Sequence, residues 1–301
     1  MGIRYYSLKG DNSNFDKVHN IIPRIVEVAL LARNLGADIL AGIHPVHIAN
    51  ASLITGIPCI GFADTDHAIE QIALYTPGCN EIYTPLWFTR NLGKKQRRYL
   101  GFQELAYLHP NYFTPDKSLI SEYGVLDNGK PIVLRSIKWD ATHDIRVKQK
   151  QSYLKLAKTL SEHHRVIVSA EGKIPRQLAE YANPLPRHLF HHLLAYSSLY
   201  IGPGATTASE SAILGTPAIY TNSLSLGYIS KLERLGLVFS ITDMDDALKS
   251  AQRILDTPER TFQRRRNMLI ENSCDVAQFA ASVIQEKYAS TRRSKIEPHQ
   301  A

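Results

Sequence analysis

The sequence predicts an α/β fold made of two Rossmann-like halves. Short apolar strands alternate with helical stretches nearly throughout, which argues for layers around largely parallel sheets. The chain has 301 residues, a length that suits about two domains. A Pro- and Gly-containing stretch from His109 to Pro131 separates two alternating series.

In the first series, 16–34 and 46–55 read as helices, and 38–41, 57–62 and 81–83 as strands. The connecting stretch carries a helical turn at 118–123. The second series runs strand 132–135, helix 147–161, strand 166–169, helix 175–181 and helix 188–196. A strand and glycine-bearing helix follow from Leu199, with a further strand after Pro217 and helices at 225–235, 244–255, 258–272 and 276–288. The polar end, 291–301, is expected to be disordered. The domains expected are therefore 1–125, 126–289 and a basic tail at 290–301.

Composition narrows the function. The net charge is +7, with clusters at Lys94–Arg98 and Arg264–Arg266. Solvated faces account for such runs, and an anionic nucleotide or an anionic membrane surface fits them better than nucleic acid. The basic runs lack the interleaved aromatic residues that stack on bases, and no helix-turn-helix, zinc-finger or RNA-binding signature is present. The three cysteines, Cys59, Cys79 and Cys274, have no metal-ligand spacing, which suits a reducing compartment. No apolar run approaches the ~20 residues of a membrane span, and Met1-Gly-Ile-Arg is not a secretory leader. A cytoplasmic protein is expected, peripheral at the inner membrane face if it touches a membrane at all.

The most informative segment is Leu199–Tyr220, a strand, a turn with Gly202 and Gly204, and a helix ending at Gly215 and Pro217. Glycines at a strand-to-helix turn let backbone N–H groups approach an anion, and the helix dipole adds positive charge there. Glu210 lies further along, where a carboxylate repels phosphate but accepts hydrogen bonds from a ribose diol. The same residues fit a structural reading equally well. Thr207-Ala-Ser-Glu210 matches a capping box, and Gly215 a left-handed helix stop.

Other constellations lie at strand ends, where α/β folds place ligands. Asp64, Asp66 and His67 follow the strand at 57–62 and suit general acid–base chemistry, with Asp64 or Thr65 capping a helix from Asp66 as the structural alternative. Arg135, Trp139, His143 and Asp144 follow the strand at 132–135. Arg135 has the fork geometry to grip a diphosphate, and His143 suits proton transfer. Ser169, Glu171 and Gly172 end the next strand. His188 and His192 share a helix face, but no third ligand is evident and no metal is expected.

The block Gly204-Ala-Thr-Thr-Ala-Ser-Glu210-Ser-Ala-Ile-Leu-Gly215-Thr-Pro217 resembles the nucleotide-sugar-binding segment of GT-B glycosyltransferases, and is similar to that of the lipid II-forming N-acetylglucosaminyltransferase. Taken with Phe62–Ala68, Gly101-Phe-Gln-Glu-Leu-Ala-Tyr-Leu-His-Pro110, Leu134–Asp144 and Ser169–Gly172, it resembles a prokaryotic domain-of-unknown-function family of GT-B-like proteins. That family is distantly related to the non-hydrolysing UDP-GlcNAc 2-epimerases, and the resemblance covers roughly 1–285. It implies two Rossmann-like domains around a cleft, a nucleotide-sugar donor, a glycan or lipid-linked acceptor and no cofactor. Homo-oligomerisation is compatible with it.

The resemblance assigns Arg135, Ser169, Glu171, His191, Gly202, Gly204, Ala205, Thr206 and Glu210 to the nucleotide-sugar, and Asp64, Asp66, His67 and His143 to catalysis. The implied function is a GT-B-type glycosyltransferase using a UDP-linked sugar in surface polysaccharide or glycan synthesis. The alternatives are a nucleotide-sugar 2-epimerase, with Asp66, Glu70 and His143 around the sugar, or a non-catalytic nucleotide-sugar-binding remnant. Family members open with a βαβ segment that this sequence is expected to lack, since Met1–Leu8 matches the strand after it.

Overall fold

The computed structural model describes residues 5–6, 21–136, 144–170 and 172–296. These pack as two compact units. The described residues up to Thr84, Arg90–Arg98 and those from Ala280 form the first, and Pro85–Thr89 with Tyr99–Phe279 the second. Residues 99–125, grouped with the first domain by sequence, thus pack in the second unit.

The first unit is built from α1 (Ile21–Asn34), β1 (Leu40–Ile43), α2 (Val46–Thr55), β2 (Cys59–Phe62), α3 (Ile69–Tyr75), β3 (Glu81–Pro85) and β4 (Gln96–Tyr99). The sheet order is β1-β2-β3-β4, with β1, β2 and β3 parallel. Every residue of β2 is buried, as its unbroken apolar run requires of a strand covered on both faces. Gly56 closes α2 at φ 74°, a left-handed position that glycine adopts without Cβ strain. Strand β4 is absent from the sequence reading because Gln-Arg-Arg-Tyr has no apolar alternation.

The second unit contains α4 (Leu105–Leu108), α5 (Ser118–Ser121), β5 (Ile132–Ser136), α6 (Asp144–Ser161), β6 (Val166–Ala170), α7 (Phe190–Ala195), β7 (Leu199–Gly202), α8 (Ala205–Leu214), β8 (Ala218–Tyr220), α9 (Gly227–Arg234), β9 (Val238–Ser240), α10 (Met244–Leu255) and α11 (Glu259–Glu271). The stretch 175–181, read as an α-helix, forms the tighter 3₁₀ turn Arg176–Tyr181. The sheet is entirely parallel in the order β6-β5-β7-β8-β9. Leu199, Tyr200 and Ile201 of β7 are fully buried, as are Ala208, Ala212 and Ile213 of α8. Small residues let α8 lie close on the sheet, and Gly215 ends it at φ 93°, as the sequence predicts.

Helix α12 (Val276–Ile296) begins in the second unit and from Ala280 belongs to the first, where Lys287 pairs with Glu81 at 3.4 Å. It runs through residues expected to be disordered. No glycine or proline interrupts it, and the Arg292 guanidinium lies 5.3 Å from the Tyr288 ring one turn back. Among the described residues, no helix is long and apolar enough to cross a membrane.

The basic clusters are partly structural rather than purely solvated. Arg265 donates to the Gly236 carbonyl at 2.7 Å and Arg266 to Ile213 at 3.1 Å, while Lys95 reaches the carbonyls of Thr76 and Pro77. These cations satisfy carbonyls left over at helix ends and turns.

Candidate functional site

In the second sheet the chain leaves β5 on one side to form β6, then returns to place β7 on the other. Ligands of open α/β sheets bind at such a reversal, beyond the carboxyl ends of the strands. Arg135 and Gly202 stand on its two sides. A Cβ on Gly202 would come 2.8 Å from the Arg135 carbonyl oxygen, so only glycine fits.

Gly204 is different. At φ −82° it is unstrained, and the nearest atom to an added Cβ is 3.6 Å away. Sterics therefore do not demand a glycine here, although glycine is a favoured N-cap. Gly204 is the N-cap of α8 and provides no side-chain cap, leaving the first-turn N–H groups of Ala205, Thr206 and Thr207 without intrahelical acceptors. Donors so arranged suit an anion.

At the carboxyl ends of β5 and β6 lies a cavity of about 260 Å³ lined by Arg135, Ser169, Ala170, Asn183, Arg187 and Phe190. The Arg135 guanidinium sits 5.2 Å from the centre of the Phe190 ring, which fixes the plane of its donors. Asn183, Arg187 and Phe190 escaped the sequence reading; that they line one cavity with Arg135 becomes visible only in space.

The capping-box reading of Glu210 fails. The helix starts at Ala205, so Thr207 is already inside it and Glu210 lies in the second turn. The Glu210 carboxylate is 9% exposed, and its Oε1 accepts a hydrogen bond from the Tyr107 hydroxyl at 2.9 Å and lies 3.0 Å from His191 Nε2. His191, on α7, is thereby brought to Glu210, a pairing that the sequence did not show. His192 faces elsewhere: its Nδ1 accepts from the Asp116 backbone N–H at 2.9 Å. Burial holds its pKa below the ordinary imidazole value, against the pull of Asp116. His143 and Glu171 lie outside the described residues.

In the first unit, Asp64 follows β2. Its Oδ1 accepts from His44 Nε2 at 2.9 Å and from the Thr65 hydroxyl at 2.9 Å. Burial acts to raise its pKa, but the His44 and Thr65 hydrogen bonds, with the His44 charge, outweigh that and hold the carboxyl below its usual range. His44 caps the carboxyl end of β1 at φ 44°, the one non-glycine residue with positive φ among those described. Strain of this kind collects at functional sites.

Asp66 is 3% exposed and its carbonyl accepts from Arg90, while His67 is exposed. The proposed helix cap at Asp64 or Thr65 is not formed, because α3 starts only at Ile69 and has no side-chain cap. The structure thus pairs Asp64 with His44, not with His67. A histidine directly after a strand and before Pro45 was the available signal.

The fold has well-populated company among solved structures. UDP-N-acetylglucosamine 2-epimerase from Rickettsia bellii is similar with a TM-score of 0.66 at 10% identity, over 94% of this chain and 82% of that one. UDP-GlcNAc 2-epimerase from Neisseria meningitidis bound to UDP-GlcNAc gives 0.63 at 12% identity, over 94% and 84%. The glycotransferase of kitacinnamycin gives 0.54 at 10%, over 92% and 83%. At such identities the likeness shows the fold, that of GT-B-type epimerases and glycosyltransferases.

In sequence, an uncharacterised protein of Methanocaldococcus jannaschii is 26% identical over 226 residues, 70% of this chain and 65% of that relative. Residues 8–279 match the family model described as protein of unknown function DUF354, and the chain belongs to that family.

Proposed function

We propose that this protein is a GT-B-type glycosyltransferase that takes a UDP-linked sugar as donor in surface polysaccharide or glycan synthesis. The observation that carries the reading is the uncapped start of α8, with an unstrained Gly204 beside it and the buried Glu210 carboxylate in the next turn. Backbone donors for a diphosphate and an acceptor for a ribose diol then stand in the order in which a nucleoside diphosphate presents them. UDP-sugar enzymes among the structural neighbours support this reading.

In this reading the pocket of Arg135, Ser169, Asn183, Arg187 and Phe190 receives the donor alongside Gly202, Gly204, Ala205 and Thr206. An acceptor hydroxyl attacks the anomeric carbon, the bond from that carbon to the diphosphate oxygen breaks, and UDP departs with the electron pair. Arg135 and the α8 N-terminus stabilise the charge that develops on the leaving group. In the first unit, Asp64, held by His44, is the candidate proton acceptor. A lipid-linked acceptor would bring the protein to the cytoplasmic face of the inner membrane.

A 2-epimerase is the second reading, favoured by the fold likeness to UDP-GlcNAc 2-epimerases. Incubation with UDP-GlcNAc separates them: epimer formed without acceptor supports the epimerase, and sugar transfer only with a glycan or lipid-linked acceptor supports the transferase. Binding itself is tested with Glu210→Gln. A hydrogen bond to a charged group is worth roughly 1.5–3 kcal/mol, so UDP affinity should fall about tenfold or more, read by calorimetry. Equal affinities would remove the nucleotide reading.

A further inference from the structure

The segment Gly101–Pro110 has no role in the binding site assembled above, yet it delivers one hydroxyl into it. Its anchoring is tight. A Cβ on Gly101 would meet Val276 Cγ2 at 2.8 Å, the Leu100 carbonyl accepts from the Cys274 N–H at 2.7 Å, and Leu105 and Leu108 are buried. Tyr107 is open to solvent on this platform. It is 42% exposed, its ring lies 5.8 Å from that of His191, and its hydroxyl donates to Glu210.

Glu210 Oε1 therefore already takes Tyr107 and His191 together. A carboxylate has about four acceptor positions, two on each oxygen, so both positions on Oε1 are filled. A ribose diol clasped across both oxygens needs one of them back. Both residues sit in short helices, His191 in α7 and Tyr107 in α4, and Tyr107 is the more exposed of the two.

We propose that Tyr107 is a latch on the donor pocket, its hydroxyl holding the place on Glu210 that a ribose hydroxyl takes when a sugar nucleotide enters. The inference rests on the ribose reading of Glu210. It makes Tyr107 a competitor of the ribose and a determinant of selectivity, since only a ligand with a hydroxyl to offer Glu210 repays the displaced bond. Phosphate-only ligands at the α8 N-terminus leave the latch closed.

Calorimetry on the full chain tests it, with wild type, Tyr107→Phe and Glu210→Gln, each against UDP, 2′,3′-dideoxyuridine diphosphate and inorganic diphosphate. Phenylalanine keeps the ring beside His191 and removes only the donor. The expected result is UDP bound about three- to tenfold more tightly by Tyr107→Phe, with the dideoxy nucleotide and diphosphate unchanged. Weaker or unchanged UDP binding by Tyr107→Phe, while Glu210→Gln still weakens it, overturns the latch and leaves the ribose contact standing. UDP binding insensitive to Glu210→Gln overturns both. Equal tightening toward all three ligands also overturns the latch, because it marks a general change in the pocket.

Discussion

The two sheets differ in how their strands are ordered, and the difference sorts their chemistry. In the first, β1 to β4 lie side by side in chain order; in the second, the order reverses between β5 and β7. The reversal opens a crevice into which backbone groups point, so the second unit offers main-chain donors at Gly204–Thr207. The described strands of the first sheet have no such crevice. What it presents at its strand ends are side chains, with His44 after β1 and Asp64 after β2 holding each other. One sheet edge suits recognition of an anion, and the other suits a proton.

The contrast can be broken first at Gly202. Its Cβ would press on the Arg135 main chain, which cannot swing aside as a side chain could. Gly202→Ala should cost about 2–3 kcal/mol through overpacking, seen as a lower midpoint in denaturant, and should abolish UDP binding. An alanine variant of wild-type stability would mean that β5 and β7 part easily and that the crevice is not rigid.

The first sheet is tested at His44. Asparagine tolerates a left-handed backbone, so His44→Asn keeps the turn and removes the imidazole donor to Asp64. The loss should be about 1–2 kcal/mol. The pH dependence gives the sign. A carboxyl held below its ordinary value adds stability that is complete above about pH 4 and fades as pH falls through the depressed folded value. The variant should be less stable at neutral pH but lose less on acidification, its curve converging on that of wild type at low pH, which acid titration of thermal unfolding would resolve. A stability difference that stays constant from neutral pH down through the acid limb would show that His44 does not hold Asp64.

The smallest stability effect belongs to Gly204→Ala. The protein has room for the methyl group, and alanine is only a poorer N-cap than glycine, so the cost should stay below about 1 kcal/mol. UDP affinity should nevertheless fall severalfold, because the methyl stands where the diphosphate approaches. Unchanged affinity would show that ligands do not reach the α8 N-terminus.

Elements with local signals were legible in the sequence. The buried strand at Cys59–Phe62 and the left-handed stop at Gly215 are written in adjacent residues. Strand β9, only three residues long, and polar β4 were not. The role of Glu210 turned on a helix start three residues earlier than the capping pattern allows, and no propensity fixes a boundary that finely. His44 and Tyr107 were missed because their partners lie 20 and 103 residues away. Pairing at that distance is decided by topology, not by pattern.

The reversed strand order also sets a timetable. Ile132 of β5 pairs with Val166 on one side and with Leu199 on the other, so half of its ladder waits on a much later stretch of chain. As the polypeptide leaves the ribosome, β5 and β6 can meet early through their helical crossover, but the Arg135 carbonyl has nothing to face until Gly202 is made. Gly204 and Glu210 are synthesised directly after it. The crevice and the groups proposed to read a nucleotide therefore emerge in a single short burst of translation, and any chain stopped before residue 199 carries the early wall of the site without the recognising one.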